Sequence, residues 1–264
     1  MLQIARTKKI KSLVLPFILL FSHTLQANNS LPEFSAKYSI QKFGIKLAEA
    51  HYQLNHTATG YKFTQNTKLH GLASMFSDES VSAVSFVDIS GDNLLLTKHR
   101  YVQTGKKKNR NEDISIRWNT EKNSIEGDIT GVVRGEKIQL TTDTEIWEVL
   151  SFQIPLMIEA NKDVKEYPYN AILKGKIDSY NFVLTSTKEI SFAGRHFQAL
   201  QMVRTDPNRN RQLHIWLVPE LHNIPVIVEN YRDGKEHSRM QLESIQFDND
   251  KPLIEKVAEN DDDF

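Results

Sequence analysis

The chain of 264 residues contains no cysteine. That absence excludes disulfides, zinc-thiolate sites, cysteine nucleophiles and the acylated cysteine of an outer-membrane lipoprotein. No HExxH motif or comparable spacing of His, Asp and Glu is present, and a metal site needs at least three converging ligands. No serine sits in a G-x-S-x-G elbow, Ser151 and Ser179 included. The glycine-bearing pieces "GVVRGEK" and "ILKGKID" lack the strand-loop-helix setting of a phosphate cradle. An excess of positive charge is missing too, with 33 basic against 33 acidic residues, so nothing argues for nucleic-acid binding. The sequence therefore offers no catalytic, cofactor or metal residues.

What is present begins at the N-terminus. Arg6, Lys8, Lys9 and Lys11 precede the apolar run Leu13 to Phe21, and the small residue Ala27 follows. This is the pattern of a secretory signal peptide over residues 1–27, cleaved before Asn28. The run is well short of the roughly 20 residues that cross a bilayer. Cleavage removes four basic residues and no acidic ones, leaving 237 residues with a net charge of −4. The expected destination is the periplasm, with no lipid anchor and no remaining transmembrane segment.

Beyond the signal, apolar residues recur at every second position. In "FSAKYSI" Phe34, Ala36, Tyr38 and Ile40 point one way, and the pattern returns at Ala48, Ala50, Tyr52 and Leu54 and in "ISIRW" and "YNFVL". Period two with frequent turn residues predicts a half-buried antiparallel sheet. One segment departs from it. Thr142, with Glu145 three residues on, reads as a capping box opening a short amphipathic helix with Ile146, Val149, Leu150 and Gln153 on one face. Pro155 is expected to stop or kink it. No linker rich in Gly, Ser or Pro divides the chain, so residues 28–248 form one domain and the acidic residues 249–264 a flexible tail.

The stretch "RQLHIWLVPELHNIPVIVEN", Arg211 to Asn230, concentrates two histidines, a glutamate and two prolines. Its flanks alternate as strands, and two prolines, each fixing φ and lacking a donor, suit a connection between them. His214 then belongs to a strand face and His222, with Glu220, to a loop. Elsewhere, Glu112 and Asp113 balance the basic turn "GKKKNRN", whose Lys106, Lys107, Lys108 and Arg110 fit a solvated loop better than a lipid contact. Trp118, Trp147 and Trp216 are expected core residues.

The order of "YSIQKFGIKLAEAHYQL", "GYKFTQNTKLHGLASMF", "VSFVDISGDNLLLTKHRYVQ", "IWLVPELHNIPVIVENYRDG" and "RMQLESIQF" resembles the DUF3108 family of exported bacterial proteins over residues 34–247. Ala48 stands where that pattern usually has glycine. The resemblance implies a mainly β, single-domain curved antiparallel sheet or partly open barrel with one short amphipathic helix at its concavity. It implies no reaction and carries no catalytic residue. The functional expectation is a non-enzymatic envelope factor that binds an apolar or amphiphilic small molecule, or an envelope protein, in a cavity lined by Ile146, Trp147, Val149, Leu150 and Trp216. The rival is a periplasmic hydrolase or transferase acting on envelope carbohydrate or lipid. Two carboxylates facing each other in a deep polar cleft would favour the rival; an apolar concavity would favour the binding factor.

Overall fold

Alternating burial, the signature of strands that wet one face only, runs through most of the computed structural model. It describes residues 30–71, 74, 79–105, 109–120, 124–248 and 250–255. The expected signal peptide and Lys106 to Lys108 lie outside the described residues.

The first half of the chain is a meander of β1 (Phe34–Lys42), β2 (Ile45–His56), β3 (Gly60–Leu69), β4 (Ser80–Ser90), β5 (Asn93–Gln103), β6 (Glu112–Asn119), β7 (Glu126–Val133) and β8 (Glu136–Thr142). After β9 (Ile146–Trp147) and helix α1 (Gln153–Glu159) comes a second meander, β10 (Glu166–Leu173), β11 (Lys176–Phe192), β12 (Arg195–Asp206), β13 (Arg211–Val218), β14 (Ile224–Arg232) and β15 (Lys235–Phe247). Antiparallel pairing of β15 with β1 fuses the two halves into one sheet, ordered β8 to β1 and then β15 to β9. The short β9 lies parallel to β10.

Each strand turns its apolar residues inward. Ala48, Ala50, Tyr52 and Leu54 of β2 are buried, as are Tyr61 and Phe63 of β3, Tyr167, Tyr169 and Ala171 of β10 and Ile215 and Leu217 of β13. Burial of this apolar face is the main force that curls the sheet on itself. The aromatic rings interlock, Tyr38 edge-on to Tyr52 at 5.2 Å and Phe152 stacked on Phe182 at 5.2 Å.

The two ends of the sheet approach each other without a backbone ladder between them in the strand order. Side chains close this seam. The Glu145 carboxylate accepts the Leu94 N–H of β5 at 2.8 Å. At the β10–β11 tip, Gly175 (φ +77°) lies so close to Ile138 of β8 that an added Cβ would stand 3.0 Å from its Cγ2. The result is a nearly closed, barrel-like sheet.

The helix is where structure and sequence reading diverge. The expected helix from Thr142 does not form: β8 runs to Thr142, Ile146 and Trp147 extend as β9, and α1 begins only at Gln153. Glu145 is taken by the β5 edge rather than by a cap. Pro155, expected to stop or kink a helix, sits in the first turn of α1, where a missing N–H costs nothing because first-turn donors have no partner inside the helix. A reciprocal turn forms instead at Glu148, whose carboxylate accepts the Ser151 N–H at 2.6 Å while the Ser151 hydroxyl meets the Glu148 N–H at 3.4 Å.

The stretch from Arg211 to Asn230 is strand, three-residue 3₁₀ turn (Pro219–Leu221) and strand. Pro225 enters β14 at an irregularity between Trp216 and Leu217, a place where a ladder donor is dispensable. His222 is exposed, in the left-handed region. Its neighbour Asn223 does more: its amide nitrogen donates to Met157 O and Ala160 O, both at 2.9 Å, fastening the end of α1 to the β13–β14 turn. Of residues 249–264, expected as a flexible tail, 249 and 256–264 lie outside the described residues. Leu253–Ile254 forms β16 on β15, and the Glu255 carboxylate accepts the Ala193 N–H.

Candidate functional site

Buried polar side chains are costly unless they are hydrogen-bonded. The seam gathers three of them. Ser85 of β4 and His99 of β5 are directly paired across their ladder, and Glu148 follows β9. All three are almost wholly buried. The Ser85 hydroxyl donates to Glu148 Oε1 at 2.7 Å, and His99 Nδ1 lies 3.0 Å from Ser85 Oγ and 3.3 Å from Glu148 Oε2. Backbone N–H groups of Leu150 and Ser151 complete the carboxylate's shell at 2.6 Å each. Ser85 gives its proton to a carboxylate rather than to the imidazole, which is not the arrangement of a nucleophile with its base. The cluster is a clasp that ties β4 and β5, inside the first meander, to the segment following β9 at one end of the sheet.

A cleft of about 190 Å³ opens beside this clasp. Ala83, Val149, Leu150, Ile172 and Leu173 supply apolar wall, while His99, Glu148, Glu112 and Arg134 supply polar groups. Glu112 Oε1 faces Arg134 Nε at 3.9 Å. Burial raises the Glu112 carboxyl above its ordinary range; the charges of His99 and Arg134 pull it down and that of Glu148 pushes it up. A wider hollow of about 630 Å³ beside Trp118 is open and mostly polar. Among the described residues no group of three His, Asp or Glu could hold a metal ion.

Of the five residues expected to line a cavity, the structure brings Val149 and Leu150 to the cleft wall. Ile146 and Trp147 are packed into the core instead, and Trp216 is half-buried on β13, cross-strand from Gln201 and Ile227. Sequence reasoning missed Ser85, His99, Glu112 and Glu148 as a set, because no motif links four positions on separate segments. A signal existed for two of them. Ser85 occupies an inward position between Ala83 and Val87, and Glu148 is a lone carboxylate inside the apolar run "IWEVLSF".

The fold and this cleft define a class: an antiparallel, barrel-like β protein with a small mixed-polarity cleft at its seam. The family profile described as "Protein of unknown function (DUF3108)" matches residues 33–240, and the chain belongs to that family. No curated protein matches it. Among solved structures, the chain is similar to the β-barrel-like protein of domain of unknown function DUF1849 from Brucella abortus, with 10% identity, a TM-score of 0.52, and coverage of 83% of this chain and 99% of that one. That likeness concerns the fold alone. A protein assigned as a lipoprotein in Parabacteroides distasonis is also similar, at 10% identity, TM-score 0.31, and coverage of 82% of this chain and 96% of that one. No helix among the described residues is long and apolar enough to cross a membrane.

Proposed function

We propose that this chain is an exported periplasmic factor of the cell envelope that holds an amphiphilic molecule at the seam cleft without transforming it. The observation that carries this reading is the lining of the cleft, an apolar wall from Ala83, Val149, Leu150, Ile172 and Leu173 beside a charged edge from Glu112 and Arg134. Small-molecule sites favour such concave, mostly apolar surfaces with a few fixed polar groups. At about 190 Å³ the cleft is smaller than the roughly 300–1,000 Å³ of sites for drug-sized ligands, so it admits one end of a chain rather than a whole lipid. Titrating the purified protein with a fluorescent fatty-acid probe tests the reading. Saturable binding that Val149→Asp abolishes supports it, and Val149 is exposed enough for this change to leave the fold intact. Absence of saturable binding overturns it.

A second reading, a hydrolase or transferase, draws on Glu112 and Glu148 lining one cleft together with His99. The raised Glu112 carboxyl suits a general acid. Glu148, however, already accepts three hydrogen bonds, from Ser85 Oγ and the Leu150 and Ser151 N–H groups, with His99 Nδ1 3.3 Å away. Turnover of chromogenic ester or glycoside substrates that disappears in Glu112→Gln would establish the enzyme.

A further inference from the structure

The sequence is electrically balanced, but the topology gathers a group of its cations on one rim, which also carries Asp233 and Glu136. In a meander, successive turns fall on opposite rims. The tips of β1–β2, β7–β8, β10–β11, β12–β13 and β14–β15 share one rim, as the pairing of Gln41 with Arg239 and the contact of Gly175 with Ile138 require. The opposite turns carry Asp92, Asp143, Glu220 and Asp248. Along the first rim a concavity of about 530 Å³ is lined by Lys174, Arg204, Arg209, Arg211 and Arg232, with Asp206 as its carboxylate. Arg209 engages Asp206 at 3.8 Å, and Arg204 lies over the Tyr180 ring at 3.5 Å. Among the described residues, Lys174, Arg211 and Arg232 have no carboxylate within ion-pair distance.

The same rim exposes its largest apolar groups. Phe43 at the β1–β2 tip is 81% exposed and Ile45 64%, with Ile177 at the β10–β11 tip 40% exposed. Lys42 sits over the Phe43 ring at 5.3 Å. His237, which lines the basic concavity, is depressed by partial desolvation and then by Arg232, Lys42 and Arg211, which ties the β1–β2 tip electrically to that concavity. Val149 and Leu173 line both the concavity and the seam cleft, so the two hollows adjoin.

We propose that this rim is a docking surface for a bilayer containing anionic phospholipid. The basic concavity holds lipid phosphates, Phe43 and Ile45 enter the interface, and the mouth of the seam cleft is thereby set against the lipid. Charge complementarity selects the occupant: unpaired cations beside an exposed aromatic and an aliphatic tip match a negatively charged surface with an apolar layer beneath it. A soluble polyanion would use the cations and leave Phe43 and Ile45 in water.

The proposal stands apart from the cleft reading, and vesicle flotation of the full chain tests it. Wild type is expected to float with vesicles of phosphatidylglycerol and phosphatidylcholine, to release at about 1 M salt, where the Debye length is about 3 Å, and to bind phosphatidylcholine alone far more weakly. Each basic residue near an anionic surface is worth about a fivefold change in partition, so Arg211→Ala with Arg232→Ala is expected to weaken binding at least about tenfold. Phe43→Ser with Ile45→Ser should weaken it further at constant salt dependence. Fatty-acid probe binding at the cleft, measured in the same variants, should be unchanged, so that failure of docking and failure of the cleft reading are separable. Equal flotation with neutral and anionic vesicles, or insensitivity to the arginine changes, overturns the proposal. So does saturable binding of inorganic phosphate without vesicle binding, which would assign the concavity to a free anion.

Discussion

Two junctions close this sheet, and they are built differently. Where β15 meets β1, a backbone ladder runs from Phe34 with Phe247 to Gln41 with Arg239, and Ala36, Tyr38, Leu242 and Ile245 are buried along it. Charge decorates its outside only. Lys37, Lys46, Glu49 and Glu243 form a quartet in which Lys46 reaches Glu49 at 2.7 Å and Glu243 at 2.6 Å, all still partly wet. At the seam no ladder exists among the described residues, and the Ser85, His99 and Glu148 clasp is almost wholly buried beside the cleft. A surface quartet adds little to a junction that its ladder already holds, whereas a buried carboxylate that accepts three hydrogen bonds is a main tie of the other.

The largest expected effect follows from that contrast. Glu148→Ala takes the carboxylate acceptor from the Ser85 hydroxyl and from two backbone N–H groups in a buried site, and should destabilise by roughly 3–5 kcal/mol. The midpoint of urea unfolding measures it; a loss below about 1 kcal/mol would show that packing, not the clasp, closes the seam.

Next comes Asn223→Ala, which frees two carbonyls at the end of α1 and should cost about 1–3 kcal/mol. Its neighbour is the control. His222→Ala removes an exposed ring that packs edge-on with Phe247 at 5.1 Å, and should stay within about 0.5 kcal/mol. If the two changes cost the same, the turn does not fasten the helix.

At the ladder junction the effects are smaller. Tyr38→Phe deletes one hydrogen bond to Pro225 O at 2.9 Å while ring and ladder remain, for about 1 kcal/mol. The quartet has a pH signature. Hydrogen bonding to Lys46 foremost holds the Glu49 carboxyl at about 2, below its ordinary 4.5. A depressed carboxylate contributes stability above its unfolded pKa and loses it as pH falls, so the quartet's share should vanish between about 4.5 and about 2. Because these groups are partly solvated, that share is small. Comparing the acid limbs of wild type and Glu49→Gln isolates it, and identical limbs would mean the quartet contributes nothing.

Much of the fold was legible because its cause is local. Alternation in "FSAKYSI" and "AEAHYQL" records a strand wet on one face, and two prolines around "ELHNI" mark a connection. The helix was misplaced because Thr142 and Glu145 satisfy a capping pattern that tertiary contacts override: the β5 edge takes Glu145, and β10 recruits Ile146 and Trp147 as a strand. Of the residues expected to line a cavity, Val149 and Leu150, apolar neighbours within one segment, lie at the cleft wall.

By itself, then, the sequence determined the strand periodicity, the absence of thiol chemistry and the turn at Pro219, all set by residues within a few positions of one another. Only the tertiary structure decided which residues meet at the seam and on which rim each charge falls. Ser85, His99 and Glu148 lie on three segments, and their hydrogen bonds exist only once the sheet curls. A balanced count of 33 basic and 33 acidic residues likewise says nothing of polarity. Antiparallel pairing sends alternate turns to opposite ends, and that long-range geometry places Arg211 and Arg232 on one rim and Asp92 and Glu220 on the other.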